Sequence, residues 1–127
     1  DNMDPIADLL STIKNAMAAR KEHVTVRYSK IKAEICGILK LKSIISDFEI
    51  REEEAHKYID ITVDITGTKL HLKRISKPGR RVYLKAKEIK APLSGLGFLI
   101  VSTPNGIVTG AQARKSGFGG EVICEVW

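Results

Sequence analysis

Nine lysines and arginines, at positions 69, 73, 74, 77, 80, 81, 85, 87 and 90, fall in one stretch of this chain with a single acid, Glu88, among them. They gather around the turn Lys77-Pro78-Gly79, with Arg80, Arg81 and Tyr83 just beyond it, rather than along a helix face. Cations this dense, with few acids to neutralise them, suit a phosphate backbone, and a tyrosine among them can stack on a base or pack inward. Three polar segments add hydrogen-bonding chemistry. Ser102-Thr103-Pro104-Asn105-Gly106 offers hydroxyl and amide groups suited to base edges or ribose 2′-hydroxyls. Gly119-Gly120-Glu121 sets a carboxylate beside flexible backbone, where it can accept from base amino groups. Ser29-Lys30 puts a lysine in the first turn of a helix, where the dipole does not favour it and a ligand would. Plain turns, a solvated basic face and a solubilising lysine are the structural alternatives at these positions.

Catalytic chemistry finds no such footing. His23, His56 and His71 stand alone, with no second ligand at metal spacing and no nucleophile motif nearby. Asp47, Glu49 and Glu52 to Glu54 form an acidic cluster, but at a hairpin tip they read as a solvated face or as a contact for a basic protein. Glycines at 95, 97, 117, 119 and 120 match no phosphate-loop pattern, and their expected use is tight turning or close approach of another backbone. Cys36 and Cys124 are too few and too far apart for a disulfide framework or a zinc site, so both read as small core residues in a reducing compartment. No cofactor or metal is expected.

The elements that must position the polar segments follow from periodicity. Asp4-Pro5 caps and starts a helix whose stripe is Ile6, Leu9, Leu10, Ile13 and Met17, with Lys14, Asn15 and Arg20 turned away from it. Val24 to Val26 reads as a strand. Ser29 caps a second helix with Ile31, Ile35, Ile38 and Leu39 inward, ending near Lys40 to Lys42. Phe48 and Ile50 then alternate with Asp47 and Glu49. Ile59, Ile61, Val63 and Ile65 alternate with Tyr58, Asp60, Thr62 and Asp64, giving a hairpin around Glu52 to Glu54. Beyond it, Leu70 to Ile75 and Arg81 to Leu84 form another expected hairpin, and Lys87 to Leu93 a short helix. Phe98 to Thr103 and Ile107 to Thr109 read as strands joined at Pro104-Asn105-Gly106. Thr109 and Gln112 make a capping box for a helix ending at Gly117. A last strand, Glu121 to Trp127, buries Val122, Cys124 and Val126 at alternate positions.

The fold class is therefore α+β in two small domains. Residues 1–68 form an N-terminal α-β-α-β-β domain, and residues 69–127 a basic, mainly antiparallel β domain with short helices, divided at Thr66-Gly67-Thr68. Charge supports the division. The 127 residues carry a net charge of +6, but residues 1–68 hold 10 cations against 12 anions (−2) and residues 69–127 hold 11 against 3 (+8). A basic second half implies a polyanionic partner, and the first half faces something else. The composition, 43% hydrophobic and 28% charged, is that of a globular chain. The longest apolar runs, such as Phe98 to Val101, fall far short of the roughly 20 residues a membrane span needs, so no membrane partner is expected. Asp1 to Ile6 carries two acids and no apolar region, so no secretory or transit signal is expected there.

Four blocks carry a resemblance: residues 4–15 (Asp-Pro-Ile-Ala-Asp-Leu-Leu-Ser-Thr-Ile-Lys-Asn), 75–83 (Ile-Ser-Lys-Pro-Gly-Arg-Arg-Val-Tyr), 102–106 (Ser-Thr-Pro-Asn-Gly) and 119–127 (Gly-Gly-Glu-Val-Ile-Cys-Glu-Val-Trp). In this order they resemble the S-eight family of small-subunit ribosomal proteins across essentially the whole chain. The resemblance implies a structural, non-enzymatic protein of a cytoplasmic or organellar ribosome, with two small α+β domains. Its partner would be an irregular helix with unpaired bases in the central domain of small-subunit rRNA. It implies that Ser102, Thr103 and Asn105, with Gly119, Gly120 and Glu121, touch the distorted RNA core, while Lys14, Asn15, Ser29 and Lys30 lean on the backbone and minor groove. Arg80, Arg81 and Tyr83 join them from the basic stretch. Neighbouring small-subunit proteins are further partners, and for a bacterial member so is its own mRNA, whose translation it would repress. Three positions depart from the family pattern: Pro104 replaces a frequent serine and removes one hydroxyl, Gly110-Ala111-Gln112 replaces Asp-Arg-Glu, and Arg27 replaces a common proline. A protein-binding adaptor that uses the acidic hairpin 47–54 is the alternative function, and a small hydrolase finds no assembled site.

Overall fold

The computed structural model describes residues 5–66, 70–90 and 97–127. Asp4 as a helix cap, Gly67 and Thr68 of the expected boundary, Lys69, residues 91–93 of the expected short helix, and Gly95 lie outside these. The described chain is α+β and forms two compact units, with the division between Leu70 and His71.

In the first unit, helix α1 (Pro5–Ala18) buries Ile6, Leu9, Leu10, Ile13 and Ala16, while Met17 is only half-buried. Strand β1 (His23–Arg27) leads to α2 (Lys30–Leu41), where the Ser29 hydroxyl accepts the Lys32 amide N–H at 3.2 Å and caps the helix. Ile35, Cys36, Ile38 and Leu39 are buried, but Ile31, expected among them, is 47% exposed. Its angular position on the helix is correct, so the exposure comes from its place in the first turn and not from helical phase. β2 (Ile45–Glu53) and β3 (His56–Val63) complete an antiparallel sheet of order β1-β3-β2. Ile59, Ile61 and Val63 supply its buried face, and Ile65 lies beyond the end of β3. Ile50 pairs with Ile59 yet is 51% exposed, because β2 is an edge strand and Ile50 sits toward its hairpin end.

Both helices of this unit end in a left-handed residue that is not glycine. At α1 the Lys21 N–H reaches the Ala16 carbonyl around Arg20 (φ 56°), and at α2 the Ile44 N–H reaches the Leu39 carbonyl around Ser43 (φ 61°). The β2–β3 hairpin closes with Glu53 opposite His56, leaving Glu54 (φ 49°) and Ala55 (φ 69°) as a two-residue turn with both residues left-handed. Asn-Gly is the pair that fits such a turn. Replacing Glu54-Ala55 by Asn-Gly is expected to stabilise the protein by about 1 kcal/mol in urea unfolding. An unchanged or lower midpoint would show that the turn carries no such strain.

The second unit is built on β8 (Gly120–Val126). One edge pairs with β6 (Phe98–Thr103), which pairs in turn with β7 (Gly106–Thr109). Along the other edge lie β4 (Leu72–Arg74), opposite Cys124 to Val126, and β5 (Tyr83–Leu84), opposite Gly120 and Glu121. This corrects the expected hairpin of Leu70 to Ile75 with Arg81 to Leu84. Both strands run antiparallel to β8 and hence in the same direction, which a hairpin forbids, so the chain leaves β8 after β4, loops out and returns as β5. A 3-10 turn (Ala86–Glu88) and α3 (Gly110–Ser116) complete the unit. The Thr109–Gln112 capping box and the left-handed Gly117 (φ 79°) bound α3 as expected. The core packs Ile89, Leu99, Val101, Ala113 and Val122 together, with Ile75, Leu84 and Val108 against them. β8 does not bury alternate residues only: Val122 to Val126 are all buried, Glu125 included, so both faces of the strand are covered there.

Candidate nucleic-acid interface

The pairing of β5, β8, β6 and β7 places Tyr83 opposite Glu121, Glu121 opposite Ser102, and Ser102 opposite Ile107. Residues paired directly across antiparallel strands share a face, so these four side chains form one row at the end of the sheet. Tyr83 is 66% exposed, a ring held by the backbone of a two-residue strand and largely open to solvent. The Arg81 guanidinium donates to Glu121 at 3.1 Å, and that carboxylate is mostly covered while Arg81 is about half exposed. Tyr83, Glu121, Ser102 and Arg81, which sequence alone names separately, are thus brought together.

Glycine makes the row possible. A Cβ on Gly120 would lie 2.0 Å from the Ser102 carbonyl oxygen, and one on Gly119 2.4 Å from that of Leu84. The expected close approach of another backbone is therefore found at both residues, and it draws β8 flush against β5 and β6. In the β6–β7 turn Thr103 pairs with Gly106 across Pro104-Asn105. The Thr103 hydroxyl donates to the Gly106 carbonyl at 2.9 Å and accepts the Asn105 N–H at 3.1 Å, so it fixes the turn and leaves the Asn105 side chain exposed at its tip.

The basic loop hangs from the edge of β8 that carries β4 and β5. At the β-bulge between Cys124 and Val122, the Ile123 carbonyl accepts the N–H groups of Ile75 (3.0 Å) and Ser76 (3.2 Å) and the Arg74 guanidinium (2.6 Å). The buried Ser76 hydroxyl accepts the Val82 N–H at 2.9 Å and so staples the loop's two ends together. Between them Lys77 and Arg80 bridge around Pro78-Gly79, and Lys77, Arg80 and Arg81 are all exposed. Glu88, the one acid of the stretch, accepts the Lys85 backbone N–H at 2.7 Å and caps the 3-10 turn. Backbone capping therefore occupies the only carboxylate that the stretch itself contains.

The remaining candidates lie in the first unit. Lys14 and Asn15 are exposed on α1, Ser29 is occupied as the α2 cap, and Lys30 is exposed in the first turn of α2. Asp47, Glu53 and Asp60 are ion-paired to lysine and arginine side chains of the same unit. Lys40 meets Asp47 at 2.9 Å, and its hydrogen bond holds that carboxyl below the usual range. Arg51 donates twice to Asp60, at 2.7 and 3.2 Å, and also to Glu53. This guanidinium, then the Thr25 hydroxyl at 2.8 Å, hold the Asp60 carboxyl low. Carboxyls whose ionised form is favoured by fixed cationic partners suit structure and not proton transfer. Among the described residues no group of three or more His, Cys, Asp or Glu is placed to hold a metal ion, and no helix is long and apolar enough to cross a membrane. His71 stacks on Trp127 with ring centroids 5.5 Å apart, and both cysteines are buried.

A family model described as Ribosomal protein S8 matches residues 4–127. The chain is 44% identical to the small ribosomal subunit protein uS8 of Koribacter versatilis over 128 residues, covering 98% of this chain and 96% of that protein. It is 48% identical to the protein of that name from Geobacillus kaustophilus (98% and 97% covered) and 47% identical to that from Persephonella marina (98% of each). Matched along nearly its whole length by the family model and by relatives this similar, the chain belongs to the ribosomal protein S8 family.

Proposed function

We propose that the chain is a structural, non-enzymatic component of the small ribosomal subunit that binds an irregular helix in the central domain of small-subunit rRNA. The observation that carries this reading is the union, at one end of the second unit's sheet, of a readout row and a basic loop. Lys77, Arg80 and Arg81 supply sequence-independent attraction to phosphates. Ser102, Asn105 and Glu121 supply hydroxyl, amide and carboxylate groups for bases and ribose, and Tyr83 a ring for an unpaired base. Thr103, Gly119 and Gly120 act chiefly by shaping the surface, the first through its turn and the glycines through close strand contact. Lys14, Asn15, Ser29 and Lys30 add contacts from the first unit. Neighbouring small-subunit proteins are further partners, and an mRNA of its own operon that imitates the rRNA helix would be bound by the same row.

The test is affinity for a purified central-domain rRNA fragment against a regular RNA duplex of equal length, across a salt titration. Preference for the fragment should persist at high salt. Replacing Ser102 and Thr103 together by Ala should weaken fragment binding about tenfold more than duplex binding, the worth of one or two lost hydrogen bonds. Equal losses on both RNAs would sink the readout role, and salt-independent indifference to RNA would return the adaptor reading to first place.

A further inference from the structure

Asn105 and Gly106 are the chain's one Asn-Gly pair; Asn105 ends the two-residue tip of the β6–β7 hairpin and Gly106 begins β7. Asn105 is exposed, and its side-chain amide makes no hydrogen bond to the other described residues. Its backbone, by contrast, is held, because the Thr103 hydroxyl accepts the Asn105 N–H at 3.1 Å and donates to the Gly106 carbonyl at 2.9 Å. The turn thus keeps the two residues in place while the amide stays open to solvent. Gly106 has φ 115°, a value that strains any residue with a Cβ, so the turn depends on glycine at this position. The same missing Cβ makes the Gly106 nitrogen the least hindered neighbour that an asparagine side chain can have.

The chemistry open to such a pair is ring closure. The Gly106 nitrogen gives its proton to solvent base and attacks Cγ of Asn105. The new N–C bond forms as the Cγ–Nδ2 bond breaks, and the side-chain nitrogen takes up a proton and leaves as ammonia. Water then opens one of the two carbonyls of the resulting succinimide, so the backbone continues through either the α- or the β-carbonyl of position 105. The net change consumes one water, releases one ammonium ion and leaves a carboxylate where the amide stood, with no oxidant or reductant. That carboxylate would sit beside the readout row. It can no longer donate to a base and it repels phosphates. The β-linked product also lengthens the backbone next to the Thr103–Gly106 pair, which adjoins Ser102.

We infer that Asn105 is a site of spontaneous modification: in protein free of RNA its amide cyclises onto the Gly106 nitrogen and is lost, and the carboxylate left behind disarms the readout loop. The chain therefore records the time it spends unbound. RNA seated on the loop engages the amide and holds the turn still, so bound protein is protected. The loss of binding rests on the RNA-binding reading above, whereas the modification itself does not.

The experiment ages the full-length protein in buffer, alone and with the rRNA fragment bound, at neutral and at mildly alkaline pH. Peptide mass spectrometry then reads amide loss residue by residue, and an isoaspartyl methyltransferase assay counts β-linked sites. In protein alone, loss at position 105 should exceed that at Asn15, which lies within α1 and precedes an alanine, by about tenfold or more. It should quicken as pH rises, since the attacking nitrogen must first lose its proton, and it should slow when the fragment is bound. Asn105→Asp, made directly, should bind the fragment about tenfold more weakly than fresh wild type, with thermal melts confirming equal folding. Asn105→Gln closes the larger ring far more slowly and should lose no affinity on ageing. Amide loss at position 105 no faster than at Asn15 would overturn the inference whatever the RNA results. So would full fragment affinity in both aged wild type and Asn105→Asp, which would make the modification silent. A fresh wild type without preference for the fragment over the regular duplex would instead remove the RNA reading and the disarming with it, while rapid loss at position 105 would still establish the modification.

Discussion

Gly120→Ala is expected to cost the protein about 3 kcal/mol or more and to remove RNA discrimination together with stability. The added Cβ would stand 2.0 Å from the Ser102 carbonyl oxygen, 2.9 Å from its carbon and 3.2 Å from the Thr103 Cα. All three are backbone atoms, so no side chain can swing aside, and β8 must move off β6 where Ser102 pairs with Glu121. The readout row is then broken at its centre. Gly79→Ala is the control: its Cβ would meet nothing within 4 Å, at the tip of the basic loop, and the variant should stay within about 0.5 kcal/mol of wild type. Urea midpoints and fragment affinity decide the matter together. A Gly120→Ala protein with wild-type stability would mean that the two strands are not in tight register at this end.

Alkaline pH is expected to destabilise the first unit through Cys36. Burial pushes this thiol from 9.0 up to about 12, against a smaller opposing effect of Lys32, because its thiolate would lie in the apolar layer between α2 and the sheet. The folded value lies above the unfolded one, so the stability is complete below about pH 9 and is lost as pH rises toward the folded value. At about pH 10.5 the unfolded chain has released this proton and the folded chain has not, a loss of about 2 kcal/mol relative to neutral pH. Lysines and tyrosines also begin to titrate there, so the measurement is the difference in pH dependence between wild type and Cys36→Ala. Parallel curves would show that the thiol ionises without unfolding.

What could be read in the residues depended on whether the signal was local. Ser29, the Thr109–Gln112 capping box and Gly117 announce helix ends within one turn of sequence, and each stands where it was expected. The ends of α1 and α2 carry no such mark, since Arg20 and Ser43 take the left-handed position against their own preference, each between a packed helix and the strand that follows it. The Pro78-Gly79 turn misled because a tight turn between two short apolar runs looks like a hairpin whatever its strands pair with. Their partner, β8, lies some forty residues further on. Residue types and charge could identify Arg81, Tyr83, Ser102 and Glu121 one at a time. Only the register of three strands on β8 sets them side by side, and only the space around Gly119 and Gly120 explains why those positions hold glycine.

The central place of β8 also orders events in time. Among the described strands, β4 and β5 have no neighbour but β8, and the β6–β7 hairpin lacks its other edge without it. A ribosome extending this chain completes every strand of the first unit's sheet by Val63, long before residues 120–126 exist. The basic loop must therefore wait, unanchored and strongly cationic, on the surface of a machine made largely of RNA, and β8, which follows the other described strands, is the one that turns that general attraction into a shaped site.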